Sequence, residues 1–136
     1  MADRKLLCEV VSPENIVYSG EADMVVALGI EGELGIMPQH IPIVTPLALG
    51  ELRIFNSGQR EFVAVLGGYL EFRENKLTIL ADAAELSHEI DIARAEAKRL
   101  AREQEIAEAK ASGKMLLEAE VSLKKALVRL RVAQKG

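Results

Sequence analysis

Cysteine is nearly missing from this chain. Cys8 is the single one among 136 residues, so no disulfide can form within it. Its flanks, Leu7 and Val10, predict a reduced thiol buried in a strand, which fits a reducing compartment. Histidine is scarce as well. His40 and His88 are the whole supply, and they do not stand at metal-ligand spacing. There is no Gly-x-Ser-x-Gly elbow and no phosphate-binding Gly-Lys loop. These gaps argue against catalysis and against a bound metal. His88, beside Glu89 at a helix start, reads as a capping-region residue and not as a base. No apolar run approaches the ~20 residues of a membrane helix, so no direct membrane insertion is expected. Nor does the opening Met1-Ala2-Asp3-Arg4-Lys5 lead into the apolar core of a signal peptide. Cationic excess is lacking too: 17 Lys and Arg stand against 21 Asp and Glu, a net −4, which excludes a global field for nucleic acid.

What is present changes rhythm near residue 86. Before it, short apolar runs are cut by Gly, Pro or Asn. Strands are predicted over 5–12, 16–18, 24–28, 33–37, 41–45, 52–55, 62–66, 69–72 and 76–80, with turns such as Pro38-Gln39-His40 and Asn56-Ser57-Gly58 between them. About eight or nine short strands at this spacing predict a sandwich or flattened barrel.

After residue 86 no proline occurs, and Gly113 is the only interior glycine. Ser87 or Asp91 can cap a first helix, which runs to a C-cap at Gly113. Ala93, Ala97, Leu100, Gln104, Ala107 and Ala111 share one of its faces. A second helix is predicted from Lys114 to Ala133, with Leu116, Ala119, Leu123, Leu127 and Leu130 as its stripe. The short break favours an antiparallel hairpin, each arm about 30 Å long. The fold class is therefore α+β: a β-sandwich over residues 1–86 and a helical hairpin over 87–136. Charge divides along the same line. Residues 1–86 hold 6 Lys and Arg against 13 Asp and Glu, a balance of −7; residues 87–136 hold 11 against 8, a balance of +3. Alanine offers little area to bury at ~25 cal/mol per Å2, so the hairpin is expected to dock weakly enough for a partner or ligand to release it.

Several motifs in order carry a family resemblance. They are the run from Gly32 to Leu47 (Gly-Glu-Leu-Gly-Ile-Met-Pro-Gln-His-Ile-Pro-Ile-Val-Thr-Pro-Leu), Gly50-Glu51-Leu52-Arg53-Ile54, Gly67-Gly68-Tyr69-Leu70-Glu71-Phe72, and the stretch from Asn75 to Glu85. With the opening Ser12-Pro13-Glu14 and Val17-Tyr18-Ser19-Gly20, the chain resembles, over nearly its whole length, the epsilon subunit of bacterial F-type ATP synthases. The resemblance implies a sandwich of about ten strands plus the hairpin. It also implies a non-catalytic subunit of the rotating central stalk, coupling proton or sodium flow to ATP synthesis and restraining ATP hydrolysis. The implied partners are the gamma subunit, the membrane rotor c-ring, and the catalytic beta and alpha subunits. The implied location is peripheral, on the cytoplasmic face of the bacterial plasma membrane.

The resemblance also assigns candidate residues. Gly32, Leu34, Gly35, Pro38, His40 and Pro42 lie in the segment that meets gamma and the rotor ring. The glycines permit tight geometry and the prolines stiffen the loop, with His40 held as an interface residue or left as a solvated one. Ile90-Asp91-Ile92-Ala93-Arg94-Ala95 is similar to the nucleotide motif of bacterial epsilon subunits, and Glu85 matches a position associated with that site. No cofactor is required, but ATP is implied as a regulatory ligand: carboxylates accept from an adenine amino group, and arginine forks onto phosphate. Arg99 or Arg102, with Arg129, are the further phosphate candidates. The alternative is that Asp91 is only an N-cap and Arg94 only a solvated cation. On the second helix, Lys124, Lys125, Arg129 and Arg131 are candidates for inhibitory contact with acidic loops of the catalytic subunits. A rival reading is a ligand-binding sandwich with a self-associating helical tail.

Overall fold

The structure is a computed structural model and describes residues 5–113 and 116–135. Alternation of apolar and polar residues sets the sandwich. In β1 (Leu6–Val11), Leu6, Cys8 and Val10 are fully buried, while Leu7, Glu9 and Val11 face outward. Burial pushes the Cys8 thiol up to about 12, so it stays protonated, as an inert apolar side chain would.

The remaining strands are β2 (Ile16–Ala22), β3 (Met24–Gly29), β4 (Gly32–Ile36), β5 (Ile43–Asn56), β6 (Gln59–Arg73), β7 (Lys76–Ala81) and β8 (Ala84–Leu86). Their order is β2-β1-β7-β6-β5-β3-β4, with β8 on β6. All pairings are antiparallel except β1 with β7.

The sandwich arises because two strands fold over together. The segments expected at 41–45 and 52–55 are parts of one strand, β5; those at 62–66 and 69–72 are parts of β6. Gly67-Gly68 bends β6 and does not end it. Both glycines have positive φ, +88° and +124°, and a Cβ on Gly68 would stand 2.1 Å from the Leu80 carbonyl oxygen. One half of each long strand lies in the layer with β7, β1 and β2; the other half joins β3, β4 and β8. Counted by halves, the eight strands supply the ten short segments expected. Between the layers lie Phe72, Leu6, Ile36, Leu52, Ile54, Leu70, Leu77 and Ile79, each at most 1% exposed.

A 3-10 turn (Ser87–Glu89) leads into α1 (Ile92–Ser112), and α2 (Leu117–Ala133) returns. Asp91, not Ser87, is the cap of α1: its Oδ1 accepts the Arg94 backbone N–H at 3.0 Å. Gly113, with φ +76°, closes the helix as expected. The expected helix start at Lys114 lies outside the described residues, and α2 begins at Leu117.

The faces differ from the expected ones. On α1, Ala93, Ala97, Leu100, Gln104, Ala107 and Ala111 are all exposed, and the buried alanines are Ala95 and Ala109. Arg102 crosses the seam to Ser122 Oγ at 3.2 Å. On α2, Ala119 and Ala126 are buried, while Leu116 and Leu127 are 37% and 41% exposed. Val128 and Val132 face the sandwich instead, packing with Ala64, Leu66 and Ile90 in a small cluster separate from the main core. Small residues at heptad spacing let the helix axes approach closely. That closeness leaves the larger leucines at the edges.

Candidate functional site

The hairpin and the sandwich enclose a cavity of about 150 Å3 lined by Glu85, Asp91, Arg94, Ala95, Lys98 and Arg129. Three parts of the fold contribute. β8 pairs with β6 through Glu85 opposite Ala64 and so presents Glu85 at the foot of the hairpin. The first two turns of α1 bring Asp91, Arg94, Ala95 and Lys98 to one side, because positions three, four and seven apart share a helix face. Arg129 arrives from α2 and donates through Nε to Glu85 Oε1, closing an ion pair between hairpin and sandwich.

Of the residues expected around a nucleotide, Glu85, Asp91, Arg94, Ala95 and Arg129 are therefore together. Ile90 lies behind them, 8% exposed, in the cluster that seats α2. Arg99 and Arg102 are not in the lining. Arg99 is bound to Glu96 and Glu103 on its own helix; Arg102 pairs with Glu105 at 2.6 Å and reaches Ser122. The hydrogen bond from Arg99 holds the Glu96 carboxyl below the usual glutamate range and pushes the Arg99 guanidinium up. Lys98, which the motif did not single out, takes the place expected of these arginines in the lining.

A second contact also escaped the motif. Lys135 Nζ meets Glu51 Oε2 at 2.9 Å and lies 6.0 Å from the centroid of the Phe62 ring. Glu51 is well covered, its side chain 12% exposed, and Arg53 Nε approaches it at 3.4 Å. Glu51 and Glu85 thus give the sandwich two acidic anchors for α2. The basic residues expected to act together divide accordingly. Lys124 and Arg131 are exposed and Lys125 half-buried, whereas Arg129 is engaged with Glu85.

At the other end, Gly32, Leu34 and Gly35 lie in the edge strand β4, and Pro38, His40 and Pro42 in the connection 37–42. Gly32, at φ +130°, takes a tight backbone geometry that a side chain would strain, as expected; Gly35 has no positive φ, and beyond its adjoining residues no atom lies within 4 Å of a Cβ built on it. His40 is half-buried, contrary to the exposed position expected. Its ring meets the edge of Phe72 at 6.0 Å and 87°, and its backbone N–H donates to the Met37 carbonyl at 3.1 Å. The Gln39 N–H donates to Asn75 Oδ1 at 2.9 Å, tying the connection to the β6–β7 turn. Met37 and Ile41 point outward, as do Val44, Tyr69 and Leu80 on the uncovered outer face of the neighbouring strands.

A family model described as the beta-sandwich domain of the ATP synthase delta/epsilon chain matches residues 5–87, and one described as its long alpha-helix domain matches 88–134. The chain belongs to the ATP synthase delta/epsilon family. Curated relatives named ATP synthase epsilon chain agree. That of Brevibacillus brevis is 50% identical over 105 residues, covering 76% of this chain and 80% of the relative. That of Dehalococcoides mccartyi is 46% identical over 132 residues, covering 96% and 94%. Among solved structures, a chain of the Euglena gracilis mitochondrial ATP synthase (OSCP/F1/c-ring) superposes with a TM-score of 0.67 at 18% identity, covering 98% of this chain and 80% of that one. A chain of the Tetrahymena thermophila mitochondrial ATP synthase central stalk and c-ring gives 0.56 at 16%, covering 99% and 98%. These two share the fold. As a delta/epsilon chain, the protein is a non-catalytic subunit of the synthase. No helix among the described residues is long and apolar enough to cross a membrane.

Proposed function

We propose that the chain serves in the central stalk of a proton- or sodium-translocating ATP synthase, where it couples rotation to synthesis and restrains hydrolysis through an ATP-sensing hairpin. The observation that carries this reading is the cavity shared by Glu85, Asp91, Arg94, Lys98 and Arg129. Its wall takes Glu85 from the sandwich and Arg129 from α2, so a ligand that touches both stabilises the docked hairpin by its differential affinity. At about 150 Å3 the cavity is smaller than the ~300–1,000 Å3 of a typical ligand pocket. A nucleotide therefore places part of itself inside and lays the rest along the surface. Glu85 and Asp91 accept from the adenine amino group, and the cations receive the phosphates.

With ATP scarce, the hairpin detaches and carries Lys124, Lys125, Arg129 and Arg131 toward acidic loops of the catalytic beta and alpha subunits. Release of Arg129 breaks its pair with Glu85, which adds to the cost of leaving. The exposed apolar row of Val44, Tyr69 and Leu80, with Met37, Ile41 and the connection 37–42 beside it, is the surface offered to gamma and the rotor ring. In this reading the chain sits peripherally on the cytoplasmic face of the bacterial plasma membrane. Calorimetric titration of the chain with magnesium-free ATP tests the reading. Heat of binding that disappears in Arg94→Ala supports it; no heat from the unaltered chain refutes the ATP-sensing part.

A further inference from the structure

We infer that four charges of alternating sign, Lys135, Glu51, Arg53 and Glu33, link the end of α2 to the edge strand β4, so that drawing Glu33 away loosens the docked hairpin. The link needs the docked hairpin but no nucleotide. Lys135 Nζ stands 3.2 Å from Glu51 Oε1 and 2.9 Å from its Oε2. Arg53 Nε lies 3.4 Å from the same Oε1, and Arg53 Nη2 lies 2.6 Å from Glu33 Oε2. Glu51 is thus shared by two cations, and Arg53 by two carboxylates. Sheet geometry builds the row. Glu51 and Arg53 are two apart on β5 and so share a face. β3 pairs with β5 on one side and with β4 on the other, so Arg53 spans β3 to reach Glu33. Glu51 stands opposite Ala64 on β6, and Ala64 stands opposite Glu85 on β8. The two acidic anchors of α2 therefore flank Ala64, which shares a buried cluster with Val128 and Val132.

The middle of the row is covered and its far end is open. The Glu51 side chain is 12% exposed and that of Glu33 64%. A covered carboxylate must keep a cationic partner. An exposed one exchanges its partner for water or another charge at little cost. While Glu33 holds one arm of the Arg53 fork, Arg53 meets Glu51 only at 3.4 Å, and Lys135 completes the neutralisation of Glu51. With Glu33 engaged elsewhere, the fork can turn both arms onto Glu51 in a bidentate pair. Two effects on Lys135 then act in the same direction. Glu51 is satisfied without it, and the Arg53 charge repels it with no Glu33 to offset the repulsion. Lys135 keeps the Phe62 ring, 6.0 Å from its centroid, so the hold weakens without vanishing. A positive group brought to the open edge of β4 by a neighbouring subunit thereby lowers the cost of releasing α2, without touching the hairpin.

The experiment measures hydrogen exchange of the α2 amides in the full chain without nucleotide, in the unaltered protein, Glu33→Gln, Lys135→Gln and the double variant. Glu33→Gln should quicken exchange about twofold and Lys135→Gln about fivefold, the range set by partly exposed ion pairs. The double variant should match Lys135→Gln alone, because Glu33 acts through the lysine and the two effects do not add. At about 1 M salt, where screening acts within ~3 Å, the Glu33→Gln effect should disappear. The same twofold quickening by Glu33→Gln with and without Lys135 would overturn the link, since that is a local loosening of β4 that never reaches the anchor. No quickening from Glu33→Gln, none from Lys135→Gln, or an effect of Glu33→Gln that persists at high salt would overturn it as well.

Discussion

Removing Val128 and Val132 together should free the hairpin without touching the sandwich. The two side chains are 2% and 0% exposed and, with Ala64, Leu66 and Ile90, form the apolar contact that seats α2. Val→Ala deletes two buried methyl groups at each site. At ~0.8 kcal/mol per buried CH2-sized group, the double variant loses about 3 kcal/mol of docking. That is roughly a hundredfold shift toward the undocked hairpin, since each ~1.4 kcal/mol is a factor of ten. The main core does not include this cluster, so the sandwich should melt as before. Hydrogen exchange of the α2 amides reads the shift directly, and it should quicken by about the same factor. Leu127→Ala is the control. Its side chain is larger but 41% exposed, so its effect should stay within ~0.5 kcal/mol. Unchanged α2 exchange in the Val128/Val132 variant, or a larger effect from Leu127→Ala, would refute the assignment of the docking face.

Other outcomes follow from the same geometry. Gly68→Ala should abolish cooperative unfolding of the sandwich, because positive φ and a 2.1 Å approach to the Leu80 carbonyl together cost more than ~3 kcal/mol; circular dichroism melts check it. The Ser57 backbone N–H, with Lys5 beside it, holds the Asp23 carboxyl below the ordinary aspartate range. A depressed native pKa adds stability that is present at neutral pH and lost as the pH falls through that value. Asp23→Asn should therefore melt below the unaltered chain at neutral pH, and the gap should close in strong acid. Neutralising the exposed Lys124 and Arg131 should raise ATP hydrolysis by the assembled synthase and leave ATP binding by the isolated chain unchanged.

The sandwich was legible because its signals are local. Period-two alternation marks Leu6, Cys8 and Val10, and Asn56-Ser57-Gly58 marks the hairpin. Gly67-Gly68 read as a break because two glycines usually end a strand; only the pairing of β5 with β6 on both sides shows it to be a fold line. Asp91 was legible for the same reason, since capping needs only the next turn. The helix faces were not. Alanines lie on every side of α1, so composition could not tell Ala95 and Ala109 from Ala93 and Ala107. Lys98 carries no motif signal of its own, whereas Glu96 and Glu103 at helical spacing already mark Arg99 as paired. The anchor between Lys135 and Glu51 joins residues 84 positions apart and has no local signal.

If sandwich and hairpin build a nucleotide pocket together, a bound nucleotide holds the hairpin down. Hydrogen exchange of the full chain with and without magnesium-free ATP tests this most directly. ATP should slow exchange throughout α1 and α2 and in β8 around Glu85, leaving the remaining strands as they were. Protection confined to the sandwich, or exchange in both helices that ATP does not alter, would contradict it.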